Sequence, residues 1–143
     1  MRGLTLIEVL IYLALFSMLM TGVIASMLSL KSGSERIEAS ARLTDEGHSL
    51  LEQLRYEIEQ SKDAQTDGSR ISLSSGKSFE VSDGILFEDG VPLNSVSSPI
   101  SDWSVIANEE GGVEVSFLLT IYTVNANPIS SEFSGRFMLL NAL

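Results

Sequence analysis

Between Leu4 and Leu30 the chain is apolar almost without interruption, broken by Glu8 and by the small residues Ser17, Thr21, Gly22, Ser26 and Ser29. At 1.5 Å rise per residue, such a run exceeds the ~20 residues a helix needs to cross a bilayer. After Lys31 the composition changes to Ser, Glu, Asp and Gly, and the apolar positions become spaced. Ile37, Leu43, Leu50, Leu51, Leu54 and Ile58 recur at separations that fit one helical face, with charged residues between them, which predicts an amphipathic helix from Ser34 to Ser61. It continues the anchor, bent or loosened at Ser32-Gly33-Ser34; the alternative is a separate helix joined through that segment as a hinge. Thr21-Gly22 is a second weak point, since glycine costs roughly 1 kcal/mol against alanine inside a helix.

From Asp67 onward the pattern is one of short strands and turns. Strands are expected at Arg70 to Leu73, Ser78 to Val81, Ile85 to Glu88, Trp103 to Ala107, Val113 to Val124 and Phe133 to Leu140. Asp83-Gly84 and Asp89-Gly90 are type I′ turn signals, and Glu109-Glu110-Gly111-Gly112 reads as a longer hairpin loop. Lys77 to Asn94 is thus a small meander, Asn94 to Asp102 a loop, and Trp103 to Val124 a hairpin. The run from Val113 to Ile121 starts with alternation and ends continuously apolar, which suits a central strand covered by the helix. The fold class is α+β: a long N-terminal helix packed on a C-terminal antiparallel sheet.

A length of 143 residues leaves one modest folded domain beyond the anchor. The net charge of −10 falls entirely after Leu30, because Arg2 and Glu8 cancel before it. Such a domain repels nucleic acid and anionic lipid, so no nucleic-acid contact is expected of this chain. The chain has no cysteine, which excludes disulfides and thiolate metal sites. Arg2 before the apolar run and only Lys31 after it favour a cytoplasmic N-terminus and an exported C-terminal domain.

A carboxylate in a membrane helix costs roughly 2.5–3.5 kcal/mol at the helix centre and less near the headgroups, so Glu8 calls for a partner or for access to the interface. Nothing inside the run is positive. A free α-amino group would serve if the chain were cut just before Glu8. Arg2-Gly3-Leu4-Thr5-Leu6-Ile7-Glu8-Val9 resembles the class III signal of type IV pilins and type II secretion pseudopilins. The resemblance implies cleavage by a prepilin peptidase after Gly3, N-methylation of the new N-terminal Leu4, and a glutamate at the fifth mature position, Glu8, that sets register during assembly. It is strongest over residues 2 to 16. Leu4 departs from the commoner phenylalanine or methionine, and the leader Met1-Arg2-Gly3 is short for the class.

The organisation implied is a leader at 1–3, a transmembrane and assembly helix at 4–30, an amphipathic helix at 31–64 and a sheet domain at 65–143. The partners implied are other pilin or pseudopilin subunits, the prepilin peptidase, the inner-membrane assembly platform and, before assembly, membrane lipid. The location implied is the cytoplasmic membrane, crossed once, and then a filament. The sheet also resembles the J-type minor pseudopilins, in which a hairpin like Gly84-Ile85-Leu86-Phe87-Glu88-Asp89-Gly90-Val91-Pro92-Leu93 precedes a long apolar strand. A minor subunit is the expectation, since the disulfide that usually closes the C-terminal loop of major pilins is impossible here.

Other readings stay open. Val23-Ile24-Ala25 fits an ordinary signal-peptidase site, which would release a domain starting at Ser26, and a membrane-anchored binding or sensor module need not polymerise. For chemistry the sequence offers little. His48 is the lone histidine and reads as a solvated helix residue rather than a base or zinc ligand. Asp83, Glu88 and Asp89 lack calcium-loop spacing, and turn geometry accounts for both Asp-Gly pairs. No catalytic residue, metal site or cofactor is expected.

Overall fold

The computed structural model describes residues 5–108, 111–123 and 127–140. Among these residues a single helix, α1 (Leu6–Glu59), is followed by eight strands: β1 (Ala64–Thr66), β2 (Arg70–Leu73), β3 (Ser78–Ser82), β4 (Ile85–Glu88), β5 (Val91–Pro92), β6 (Ile100–Ala107), β7 (Gly112–Tyr122) and β8 (Pro128–Met138). The chain divides into two units, Met1–Ile37 and Glu38–Leu143.

In the first unit the helix is long and apolar enough to cross a membrane, and the large hydrophobic side chains from Leu6 to Leu30 are exposed. Three of its hydroxyls are satisfied within the helix: Ser17 donates to the Leu13 carbonyl at 2.8 Å, Thr21 to Ser17 at 2.8 Å and Ser26 to Gly22 at 2.9 Å. Three polar side chains therefore enter an apolar phase without unmet donors. The helix passes Thr21-Gly22 and Ser32-Gly33-Ser34 without interruption, so the expected loosening at the latter does not break it. One isolated glycine, at roughly 1 kcal/mol, is too small a cost to end a helix with good formers on both sides.

In the second unit the remainder of α1 buries Ala39, Leu43, Gly47, Leu50, Leu54 and Ile58, successive steps of four, four, three, four and four residues. Ile37, expected on this face, is 74% exposed, and Leu51 only borders the core. Ala39 and Gly47 belong to the stripe instead, two small residues that a search for large apolar side chains passes over. The helix stops two residues short of Ser61, where the buried Ser61 hydroxyl donates to the Glu57 carbonyl at 2.9 Å. Ser74 Oγ then accepts from Lys62 N and Asp63 N at 2.9 and 3.1 Å. The first bond satisfies a carbonyl that the helix end leaves without an intrahelical partner, and the other two tie down the chain just beyond it.

The strands form two antiparallel sheets, β1-β2-β3-β4-β5 and β6-β7-β8. Both Asp-Gly turns are as expected: Ser82 pairs with Ile85 and Glu88 with Val91, while Asp83, Gly84, Asp89 and Gly90 all have positive φ. Such two-residue turns match the twist of the strands they join. β1 and β5 were not expected, being only three and two residues long. β6 begins at Ile100 rather than Trp103 because the register shifts between Ser101 and Ser104, where Asp102 has φ 50°. The bulge breaks the alternation that would have revealed the earlier residues. β8 begins at Pro128, five residues before Phe133, since Ser130 and Ser131 pair with Thr120 and Leu119 despite a loop-like composition. Val124, Glu109 and Glu110 lie outside the described residues.

β7 is the central strand of its sheet and sends Val113, Val115, Phe117 and Leu119 into the core with the helix stripe. Full burial of each such side chain contributes about 1.5–3 kcal/mol. Phe117 stacks on Phe133 at 5.6 Å, and Trp103 lies 6.2 Å from Phe117 while donating its indole N–H to the Ser69 carbonyl.

Candidate assembly site

α1 starts at Leu6, which makes Thr5 the residue before the first helical turn and Glu8 the third residue inside it. Glu8 Oε2 accepts hydrogen bonds from the Thr5 backbone N–H at 2.9 Å and from the Thr5 hydroxyl at 3.0 Å. The Thr5 carbonyl in turn accepts from Glu8 N at 3.0 Å and Val9 N at 3.3 Å. A Thr-x-x-Glu segment with the glutamate reaching back to the cap N–H is the glutamate half of a capping box. The carboxylate also sits where the helix dipole favours negative charge. The Glu8 carboxylate is thus held at the start of the helix, and both bonds from Thr5 fall on one oxygen. Gly3 and Leu4, the other two residues singled out in the sequence, lie outside the described residues.

Thr5 was not among the candidate residues. Its signal was present as Thr5-x-x-Glu8 directly before an apolar run, the pattern of a helix start.

In the second unit, polar side chains fasten the helix to the strands. Lys77 Nζ bonds Glu57 Oε1 at 2.8 Å and pairs with Glu88 Oε1, while Gln53 Nε2 donates to Glu88 Oε2 at 2.7 Å. The Glu57 and Glu88 side chains are only 15% and 14% exposed, so the ammonium between them offsets charges that water reaches poorly. The hydrogen bonds from Glu57 and then Glu88 raise the Lys77 pKa above the usual lysine value. Ser98 donates to Glu46, and Asn94 accepts from Leu86 N at 2.6 Å while donating to the carbonyls of Gly84 and Ser98 at 3.0 and 2.7 Å. These bonds hold the loop after β5 against β4 and the helix.

The remaining candidates are occupied structurally. Asp89 Oδ1 accepts from Ser78 N at 2.8 Å, Glu88 faces Lys77, and Asp83 occupies the first turn position. Among the described residues no group of three His, Asp or Glu side chains is placed to hold a metal ion. His48 is exposed and meets Phe133 edge-on at 5.8 Å.

The arrangement that remains is a helix start bearing a fixed carboxylate, an exposed apolar helix and a helix-on-sheet domain. No curated protein and no solved structure shows significant similarity to the chain. Residues 1–24 match the family described as the prokaryotic N-terminal methylation motif, so the chain carries the class III prepilin signal of the type IV pilin family on a pilin-like α+β architecture.

Proposed function

We propose that this chain is a minor pilin or minor pseudopilin: a structural subunit cut after Gly3 by a prepilin peptidase, methylated at the amine of Leu4, and drawn from the cytoplasmic membrane into a filament by an assembly platform. The observation that carries the reading is Glu8, fixed by Thr5 at the helix start within the methylation motif. In the membrane the capped carboxylate lies near the headgroups, where its cost is smaller than at the bilayer centre. In the filament, the free amine of a neighbouring subunit pairs with Glu8. A misaligned subunit leaves two charges unpaired among apolar helices, and breaking such a pair is far costlier than the pair itself is stabilising. Glu8 therefore sets register. The lack of cysteine and the hairpin from Gly84 to Leu93 support a minor subunit.

The test is the intact mass and N-terminal sequence of the protein taken from its native membrane. A chain beginning at Leu4 and carrying one added methyl group is the expected result. A chain beginning at Met1 or Ser26 overturns the reading, leaving a signal anchor or a secreted domain.

A further inference from the structure

Within the second unit β8 and α1 run the same way along each other. Phe133 lies against Gly47 and His48, Phe137 shares a cleft with Leu51 and Arg55, and Leu140 N donates to the Ser61 carbonyl at 2.9 Å. The start of β8, and the end of β7 paired with it, therefore stand at the Glu38 end of the unit. There the pairs Thr120↔Ser130, Ile121↔Ile129 and Tyr122↔Pro128 extend past Ile100↔Leu119, the outermost pair of β6 with β7. The Thr123 hydroxyl donates to the Asn127 carbonyl at 3.0 Å and holds the two arms together. The loop from Asn94 to Pro99 reaches the same end, since Ser98 donates to Glu46 and Thr120 N donates to the Pro99 carbonyl at 3.0 Å.

These two segments belong to the longest uncharged stretches after Leu30, residues 90–101 and 115–131, in a region that carries the whole net charge of −10. At their meeting place Val96 is 81% exposed, Tyr122 is 62% exposed, and Pro128 is exposed beside it. Chain length ties this end to the anchor: Leu30 and Glu38 are eight residues apart, a span of at most about 29 Å even when fully extended. The apolar run from Leu4 to Leu30 is also longer than the ~20 residues a bilayer needs, and such an excess is accommodated by tilting. A tilted anchor lowers one side of the domain attached to it towards the headgroups.

We infer that this uncharged end, with Tyr122 and Val96 foremost, rests on the headgroup surface of the membrane that holds the anchor, before the subunit enters a fibre. The inference rests on the membrane-anchored reading above. Tyrosine, with an apolar ring and a polar hydroxyl, is favoured at the membrane interface, whereas the acidic remainder of the domain keeps its hydration. Asp83 borders the end, because the carbonyl of its turn neighbour Gly84 accepts from Ile100 N at 2.8 Å. With that charge and the acidic domain behind it, the surface it suits is zwitterionic rather than anionic. Held in this way, the domain keeps one orientation about its anchor and turns the Ser61 end away from the bilayer.

The chain has no cysteine, so a single introduced one takes a label uniquely. The test attaches a fluorophore at Asn127→Cys, or at Gln60→Cys at the far end as control, both exposed positions. The full chain is reconstituted at high dilution in phosphatidylcholine bilayers that carry a nitroxide on some headgroups. Quenching severalfold stronger at position 127 than at position 60 is the expected result. Tyr122→Asp and Val96→Asp each set a charge on the contact and are expected to bring position 127 down to the level of position 60 at unchanged melting temperature. Should Tyr122→Asp lower the melting temperature, Val96→Asp, at the more exposed position, carries the test alone. Quenching at position 127 no stronger than at position 60 overturns the inference, as does quenching indifferent to these variants. Disulfide formation between two unlabelled Asn127→Cys chains at the same dilution also overturns it, giving this end to a contact between subunits. In each of these cases a chain that still begins at Leu4 and assembles leaves the reading of an anchored filament subunit standing.

Discussion

The Phe133 ring occupies the space where a side chain at Gly47 would begin: a Cβ built on Gly47 falls 2.1 Å from Phe133 Cζ. The ring has little room to retreat, because it stacks on Phe117 at 5.6 Å and meets His48 edge-on. Gly47 lowers the helix's intrinsic stability by roughly 1 kcal/mol relative to alanine, and in return lets β8 lie directly beneath α1. Gly47→Ala is therefore expected to destabilise the domain by about 1–3 kcal/mol, the usual range for an overpacked core, although alanine is the better helix former. Phe133→Leu should relieve most of this penalty in the double variant. Urea denaturation of the four proteins measures the coupling, and a stabilised Gly47→Ala single variant would show that the ring moves aside freely.

This contact also shows what the sequence could and could not convey. Leu43, Leu50, Leu54 and Ile58 were legible because large apolar residues at helical spacing admit few other readings. Asp83-Gly84 and Asp89-Gly90 were legible because the turn type demands positive φ at both positions. Gly47 was not, since its role depends on an aromatic ring 86 residues later in the chain, and nothing local marks it. The start of β8 was hidden for a similar reason: Ser130 and Ser131 become strand residues only through pairing with β7. At the candidate site the glutamate stood out by its charge in an apolar run, whereas Thr5 needed the recognition of a two-residue cap.

Lys77 stands between two poorly hydrated carboxylates, and its pKa is raised by hydrogen bonds to Glu57 and then Glu88. A raised lysine pKa contributes stability that is fully present below the unfolded value of about 10.4 and is lost as pH rises through the folded value. The wild-type contribution should thus be flat across neutral pH and decline only in strongly alkaline solution. Lys77→Met leaves Glu57 and Glu88 facing each other, so its defect should be largest near pH 7 and shrink as pH falls through the carboxylate range. Melting temperatures of both proteins from pH 3 to pH 8, on this expectation, converge at the acid end. A defect independent of pH would assign Lys77 a packing role only.

Asp67 makes the opposite prediction at the first hairpin. Its carboxylate accepts from the N–H of Arg70 at 2.8 Å and of Ser69 at 3.1 Å, and those bonds hold its pKa below the usual aspartate value. A depressed pKa contributes stability that is present above the unfolded value of about 3.9 and is lost as pH falls through the folded one. Asp67→Ala should lower the melting temperature at pH 7 and leave it close to wild type at pH 2. A loss of equal size at both pH values would place the effect in backbone geometry instead.

Asn94 is buried and serves four backbone groups, accepting from Leu86 N–H and donating to the carbonyls of Gly84, Ser98 and, at 3.5 Å, Ser95. Asn94→Ala leaves a buried donor without a partner, which costs about 1–3 kcal/mol. Asn94→Asp keeps the acceptor for Leu86 N–H but replaces the amide donor with a carboxylate facing three carbonyl oxygens. It should therefore be at least as destabilising as alanine at pH 7 and recover at acid pH, where a protonated carboxyl group donates again. Thermal denaturation of the two variants across pH separates the roles of the oxygen and the nitrogen.

Glu8 has two roles open to it, a cap for α1 and a charge that sets register, and they separate by substitution. Glutamine can occupy the same position of a capping box, so Glu8→Gln retains a side chain able to accept from Thr5 N–H while losing the charge. Glu8→Ala loses both, and Thr5→Val loses the hydroxyl contact while keeping the charge. If charge sets register, Glu8→Gln and Glu8→Ala should insert in the membrane at normal levels and both fail to enter filaments, while Thr5→Val assembles. If capping is what matters, Glu8→Gln should assemble and Glu8→Ala should not. Quantifying the chain in membrane and sheared-fibre fractions for the three variants decides the matter, because the insertion level controls for loss of the protein before assembly.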